Sequence, residues 1–121
     1  MLVTATAAPR HETPNAVMRT LAAPSLGASE LAVWEVVMRA GAQGPEHEAD
    51  REQVWTVLAG DLHVTVDGES FAVSAGDSLR IPPGIRRQVA ATRGVRALVA
   101  SAAGVSVTTA EGATRELPWA A

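Results

Sequence analysis

Imidazole chemistry in this chain rests on three residues, His11, His47 and His63, the only histidines among its 121 residues. Imidazole titrates near neutrality, so each is a candidate proton carrier or metal ligand. Other reactive groups are scarce. The chain has no cysteine, which excludes a thiolate nucleophile, a cysteine zinc site, an iron–sulfur cluster and a disulfide framework. It has no tyrosine, so no phenol can serve as acid or radical. All ten basic residues are arginine, which removes Schiff-base chemistry and any P-loop lysine. Arginine offers instead a permanent cation with a donor fork suited to carboxylate, phosphate or enolate oxygen.

The elements that must position these groups read as β throughout. Runs rich in Val, Leu, Ile and Trp span residues 30–39, 53–58, 62–66, 70–73, 78–81, 85–91, 95–101 and 105–109. Gly, Pro and Asp punctuate them at Gly41–Pro45, Gly60–Asp61, Asp67–Gly68, Gly76–Asp77, Pro82–Gly84, Gly94 and Gly104. Short strands at such spacing predict an all-β sandwich or barrel. Asp67–Gly68 between two alternating runs predicts a tight hairpin, because a type I′ turn needs positive φ at both central residues. Alanine raises helix propensity over 20–32 and 110–121, but no helical period is sustained.

Composition bounds the rest. The length suits one domain, and 47% hydrophobic against 19% charged residues excludes a disordered chain. A net charge of −3, with the arginines scattered among 13 acids, argues against nucleic acid as a partner. No run of about 18 apolar residues suggests a membrane span. The first residues lack a cationic start and apolar block, so a cytoplasmic protein is expected.

Gly41, His47 and Gly60, followed by Gly76, Pro82 and Gly84, resemble the cupin superfamily. Motif 1 of that family is G-x5-H-x-H-x3-E-x6-G, and motif 2 is G-x5-P-x-G-x2-H-x3-N. The 15 residues from Asp61 to Ala75 separate the two. The resemblance spans about residues 30–107 and implies a double-stranded β-helix, or jelly-roll, barrel. On this reading residues 29–109 form the barrel. Residues 1–28 form an N-terminal arm or a strand exchanged within a homodimer. Residues 110–121 form a tail packing on the barrel or a partner subunit, with Trp119 as its anchor.

In metal-binding cupins two histidines and a glutamate of motif 1, with a histidine of motif 2, hold Mn, Fe, Zn or a related ion. Carried over, those positions are His47, Ala49, Gln53 and Arg87. Alanine has no donor, glutamine has one neutral oxygen, and arginine is a cation that would repel the ion. The second motif's asparagine position holds Ala91. The expectation is a barrel without the usual metal. The alternative is a divalent transition metal held through His47 and Gln53 with non-standard ligands.

Period-two alternation carried from the inward His47 puts Arg51, Gln53 and Trp55 on the same face. It sends Glu48, Asp50 and Glu52 outward. With Arg87 on a neighbouring strand, and Trp34 and Met38 in the wall, the expected ligand site is His47, Arg51, Gln53, Trp55, Arg87, Trp34 and Met38. His47 and Arg87 are its candidate catalytic pair. A neutral imidazole would abstract a proton, and the guanidinium would stabilise the resulting charge. Alternatively, Arg87 forms a structural ion pair with Glu46 or Glu48. His11 and His63 read as surface residues.

Three functions follow. The first is a cupin that binds a small anionic or carbonyl-bearing molecule, with metal-free isomerase, cyclase or lyase activity. The second is a metal-dependent dioxygenase, isomerase or polyketide cyclase. The third is a non-catalytic sensor or structural cupin.

Overall fold

Eleven strands and two short 3-10 turns account for the regular structure of the chain, described here over all 121 residues by a computed structural model. The strands are β1 (Arg10–Glu12), β2 (Val17–Ala22), β3 (Leu31–Met38), β4 (His47–Ala49), β5 (Gln53–Val66) and β6 (Glu69–Ser74). They continue as β7 (Ser78–Ile81), β8 (Arg87–Ala90), β9 (Val95–Ala102), β10 (Ser106–Thr109) and β11 (Thr114–Glu116). All pairings are antiparallel. One face runs β1-β2-β3-β9-β5-β7 and the other runs β6-β5-β8-β4-β10-β11. The fold is an all-β jelly roll. No helix is long and apolar enough to cross a membrane.

Strand β5 belongs to both faces. Its first half pairs with β7 and β9, and its second half with β6 and β8. The sequence predicts two strands here, broken at Gly60–Asp61. The chain instead forms one bent strand with a register shift between Val57 and Ala59. Gly60 absorbs the bend with φ +81, and a Cβ there would overlap the carbonyl oxygen of Gly94. Glycine at this point makes a corner, not a turn. The Asp67–Gly68 turn has φ +47 and +78, as the hairpin expectation requires.

Alternation along the strands builds the core. Ala32, Trp34, Val36 and Met38 of β3 are buried, as are Val95, Ala97, Val99 and Ser101 of β9. Trp55, Val57, Leu62 and Val64 of β5 join them. All of these but the polar Ser101 share one apolar cluster spanning both faces, whose removal from water drives the two faces together.

Both terminal segments pack on this barrel. In the described chain β2 pairs with its own β3, placing Val17 opposite Val37 and Thr20 opposite Trp34. Met18 enters the core. The tail returns as β11 beside β10, then turns at Pro118–Ala120. Thr20 Oγ1 donates to the Trp119 carbonyl at 2.7 Å, and the Trp119 ring lies 6.3 Å from that of His11. His11 is therefore no simple surface residue: its Nδ1 is buried without a partner.

Candidate functional site

Cross-strand neighbours point to the same side of a sheet, and this rule assembles one wall of the barrel interior. Arg87 of β8 stands opposite His47 of β4, and His47 stands opposite Thr109 of β10. In the adjoining row Ala49 faces Val107, and Val107 faces Arg115 of β11. The other wall comes from β3 and β5, with Trp34, Met38, Gln53 and Trp55. Between them lies a cavity of about 390 Å³, whose mouth is lined by Glu12 to Ala16, Arg115 and Trp119. The N-terminal side of the mouth is braced, because Thr13 N–H donates to the Ala16 carbonyl at 2.9 Å and Thr13 Oγ1 accepts from Ala16 N–H at 3.1 Å.

The polar groups at depth form a chain. Arg87 is 1% exposed, yet no carboxylate bonds it. Its Nη2 donates to Gln53 Oε1 at 2.6 Å, its Nη1 reaches the Ile85 carbonyl at 3.5 Å, and its Nε has no partner. Burial pushes the guanidinium down to about 10, against the attraction of Glu48. It stays charged at neutral pH. Gln53 Oε1 also accepts from Trp55 Nε1 at 3.2 Å. Two donors on one oxygen fix the amide's orientation. The Gln53 amide nitrogen donates to no protein group, on a side chain that lines the cavity.

His47 is half-buried against the same space. Its Nδ1 lies 2.9 Å from the Pro45 carbonyl. A carbonyl can only accept, so Nδ1 carries the hydrogen and Nε2 keeps the free lone pair. Burial lowers the imidazole pKa, the Pro45 bond partly opposes this, and the Arg87 and Arg115 cations lower it further. The ring is therefore a neutral base at pH 7. Sign follows by linkage: below its ordinary pKa of 6.5, the unfolded chain takes up a proton that the native ring refuses. Stability is expected to fall as pH drops below 6.5 and to be indifferent to this group above it. His47→Gln should flatten that part of the profile, measured by urea denaturation between about pH 5 and 7.5. Equal slopes in both proteins would contradict the neutral assignment.

His47, Gln53, Trp55, Trp34 and Met38 of the expected set meet at the cavity. Arg51 does not. It is exposed on the bend between β4 and β5. Asp50 causes the departure: its N–H donates to the Ser106 carbonyl at 3.0 Å and its carboxylate accepts from Ser106 N–H at 2.8 Å. The chain turns there from one face to the other, so alternation counted from His47 fails at Arg51. Arg87 also departs from expectation, since it does not line the cavity and acts on it through Gln53. No structural ion pair forms at Arg87 either. Glu46 lies 3.8 Å from Arg86, and Glu48 acts on Arg87 only through space. His63 is exposed, as expected. Arg115 is the residue that sequence reasoning missed. Its signal lay in the turn ending at Gly112, φ +86, which folds Thr114–Glu116 back along β10.

A family model described as "Cupin domain" matches residues 34–101, more than half of the chain and most of the barrel just described. The chain belongs to the cupin family. No curated protein sequence matches it. Among solved structures, an RmlC-like cupin from Shewanella frigidimarina superposes with TM-score 0.73 at 23% identity, covering 83% of this chain and 87% of that one. The polyketide cyclase RemF from Streptomyces resistomycificus gives TM-score 0.72 at 22% identity, over 84% and 78%. A putative ethanolamine utilization protein from Salmonella typhimurium gives 0.65 at 25% identity, over 72% and 68%. These likenesses establish the shared fold.

The residues of this cupin do not fit the metal centre its family implies. The Gln53 oxygen that would bind an ion already accepts from Arg87 and Trp55. Ala49 offers no atom, and Arg87 puts a cation where a ligand should stand. No three His, Cys, Asp or Glu side chains gather elsewhere. His47 Nε2 is the one good donor left, short of the three or more protein ligands such sites use.

Proposed function

We propose that this cupin binds a small organic molecule bearing an anionic or carbonyl oxygen and handles it without a metal ion. His47 serves as base and Gln53 as hydrogen-bond donor. The observation that carries this reading is the 2.6 Å bond from Arg87 to Gln53 Oε1. That bond occupies the oxygen a metal would need and leaves the amide N–H free on the cavity side. A lone pair beside a donor suits proton transfer next to a carbonyl. His47 Nε2 takes the proton from carbon, and the Gln53 N–H bonds the oxygen on which charge gathers. Isomerisation, cyclisation and elimination all use such a step. Apolar walls around these few polar groups exclude water and favour binding.

All three tryptophans line the cavity, and the chain has no tyrosine, so intrinsic fluorescence reports on the cavity itself. Titration with a panel of small carboxylic and keto acids is expected to change that emission equally before and after chelator treatment. A binder with a proton next to its carbonyl should then exchange it for solvent deuterium, and His47→Ala should stop the exchange. Binding lost on chelation would favour the metal-dependent reading. Binding without exchange would favour a sensor.

A further inference from the structure

Arg87 is buried behind Gln53 and cannot grip a ligand, yet one arginine does face the cavity. Arg115 lines its mouth and is exposed, and its side chain makes no hydrogen bond or ion pair with any protein group. Its backbone is held in place by β11, where it stands opposite the buried Val107. Its side chain therefore rises from the same inner face as Ala49 and Val107, with its donor fork unspent. The acids nearby do not use it. Glu12, across the mouth, lies 4.0 Å from Arg10, and Glu116 alternates to the other face. The buried Trp34 and Trp55 with Met18 and Met38, and Trp119 at the mouth, offer flat, polarizable surface. Such walls favour a planar conjugated group over a flexible chain.

We propose that Arg115 is the specificity-determining residue of this cavity, and that it selects a planar, conjugated carboxylate. The ring lies among the tryptophans and the carboxylate meets the guanidinium at the mouth. This inference rests on the reading of the cavity as a small-molecule site and adds the charge and shape of the molecule. A guanidinium meets a carboxylate through two parallel N–H bonds, a geometry that a primary amide of the same shape cannot fully return. The fork lies beside apolar wall, so screening by water is weaker than on open surface.

The probes are 2-naphthoate and 2-naphthamide, matched in shape and differing in charge, titrated by calorimetry into the full chain. The wild type is expected to bind naphthoate about tenfold tighter than the amide, the yield of one charge-assisted contact. Arg115→Ala should remove that preference, weakening naphthoate about tenfold more than naphthamide. Arg115→Lys should keep part of it, since a point charge lacks the fork. Added salt should weaken naphthoate alone. Equal affinity for both probes in the wild type would overturn the role of Arg115 while leaving the cavity reading intact. So would an Arg115→Ala that weakens both probes by the same factor. If neither probe binds the wild type, the cavity reading and the inference fall together.

Discussion

Arg87→Met is expected to make the protein more stable while weakening its hold on anionic ligands. The guanidinium is 1% exposed, its best partner is a neutral amide oxygen, and its Nε is bonded to nothing. Burying a charge costs several kcal/mol, and attraction to a well-placed counter-charge usually returns part of it. Here no counter-charge is in contact. Methionine fills a comparable shape without a charge, so a gain of about 1–3 kcal/mol is expected, seen as a rise of several degrees in melting temperature. The Gln53 oxygen would keep its bond from Trp55 at 3.2 Å and lose the stronger one, so the amide would be free to rotate. Loss of a fixed donor should weaken anion binding about tenfold. A residue that served only to fill space could not give opposite signs in the two measurements. A fall in melting temperature on Arg87→Met would show that the buried cation is better compensated than its contacts indicate.

Gln53→Glu carries the second large effect. It places a carboxylate against Arg87 at the position of the present 2.6 Å bond, turning a charge–dipole contact into a buried ion pair. Stability should rise by about 1–3 kcal/mol, as for a hydrogen bond gaining a second charge. Binding should suffer more than in Arg87→Met, because the cavity loses the Gln53 N–H donor and gains a negative oxygen. A loss of about a hundredfold is expected for a ligand whose carbonyl or anionic oxygen meets Gln53, or roughly 2.8 kcal/mol. The pair of variants makes a cycle whose sign is informative. In an Arg87→Met background, Gln53→Glu buries a carboxylate with no cation beside it. The same substitution should then destabilise by about 3 kcal/mol or raise the carboxyl pKa until it is neutral. Additive effects in that cycle would mean that Arg87 and Gln53 do not act as a unit.

These expectations explain why the family's metal positions could be read in the chain while their chemistry could not. The spacing from Gly41 to Gly60 and from Gly76 to Gly84 places His47, Gln53 and Arg87 by turn geometry, which is local. Their inward orientation follows from alternation within β4, β5 and β8, also local. Arg51 marks the limit of that rule. Alternation holds only inside a continuous strand, and the contacts of Asp50 with Ser106 turn the chain from one face to the other just before it. The corner at Gly60 shows the opposite case: a residue that reads as a break bends a strand without ending it.

Residue types and their spacing were enough to determine the all-β jelly roll and the place of His47 and Gln53. Tertiary structure alone decided which groups those residues touch. Whether Arg87 binds a ligand or orients Gln53 depends on which oxygen stands 2.6 Å away, and that oxygen is 34 positions distant in the chain. The cation that faces the cavity comes from a terminal strand with no motif, carried there by its pairing with β10. The tryptophan at the mouth is fixed by a bond from Thr20, 99 positions away. Alternation and turns act over a few residues and can be counted along the chain. Burial of a charge and the spending of a donor are set by neighbours that only folding brings together.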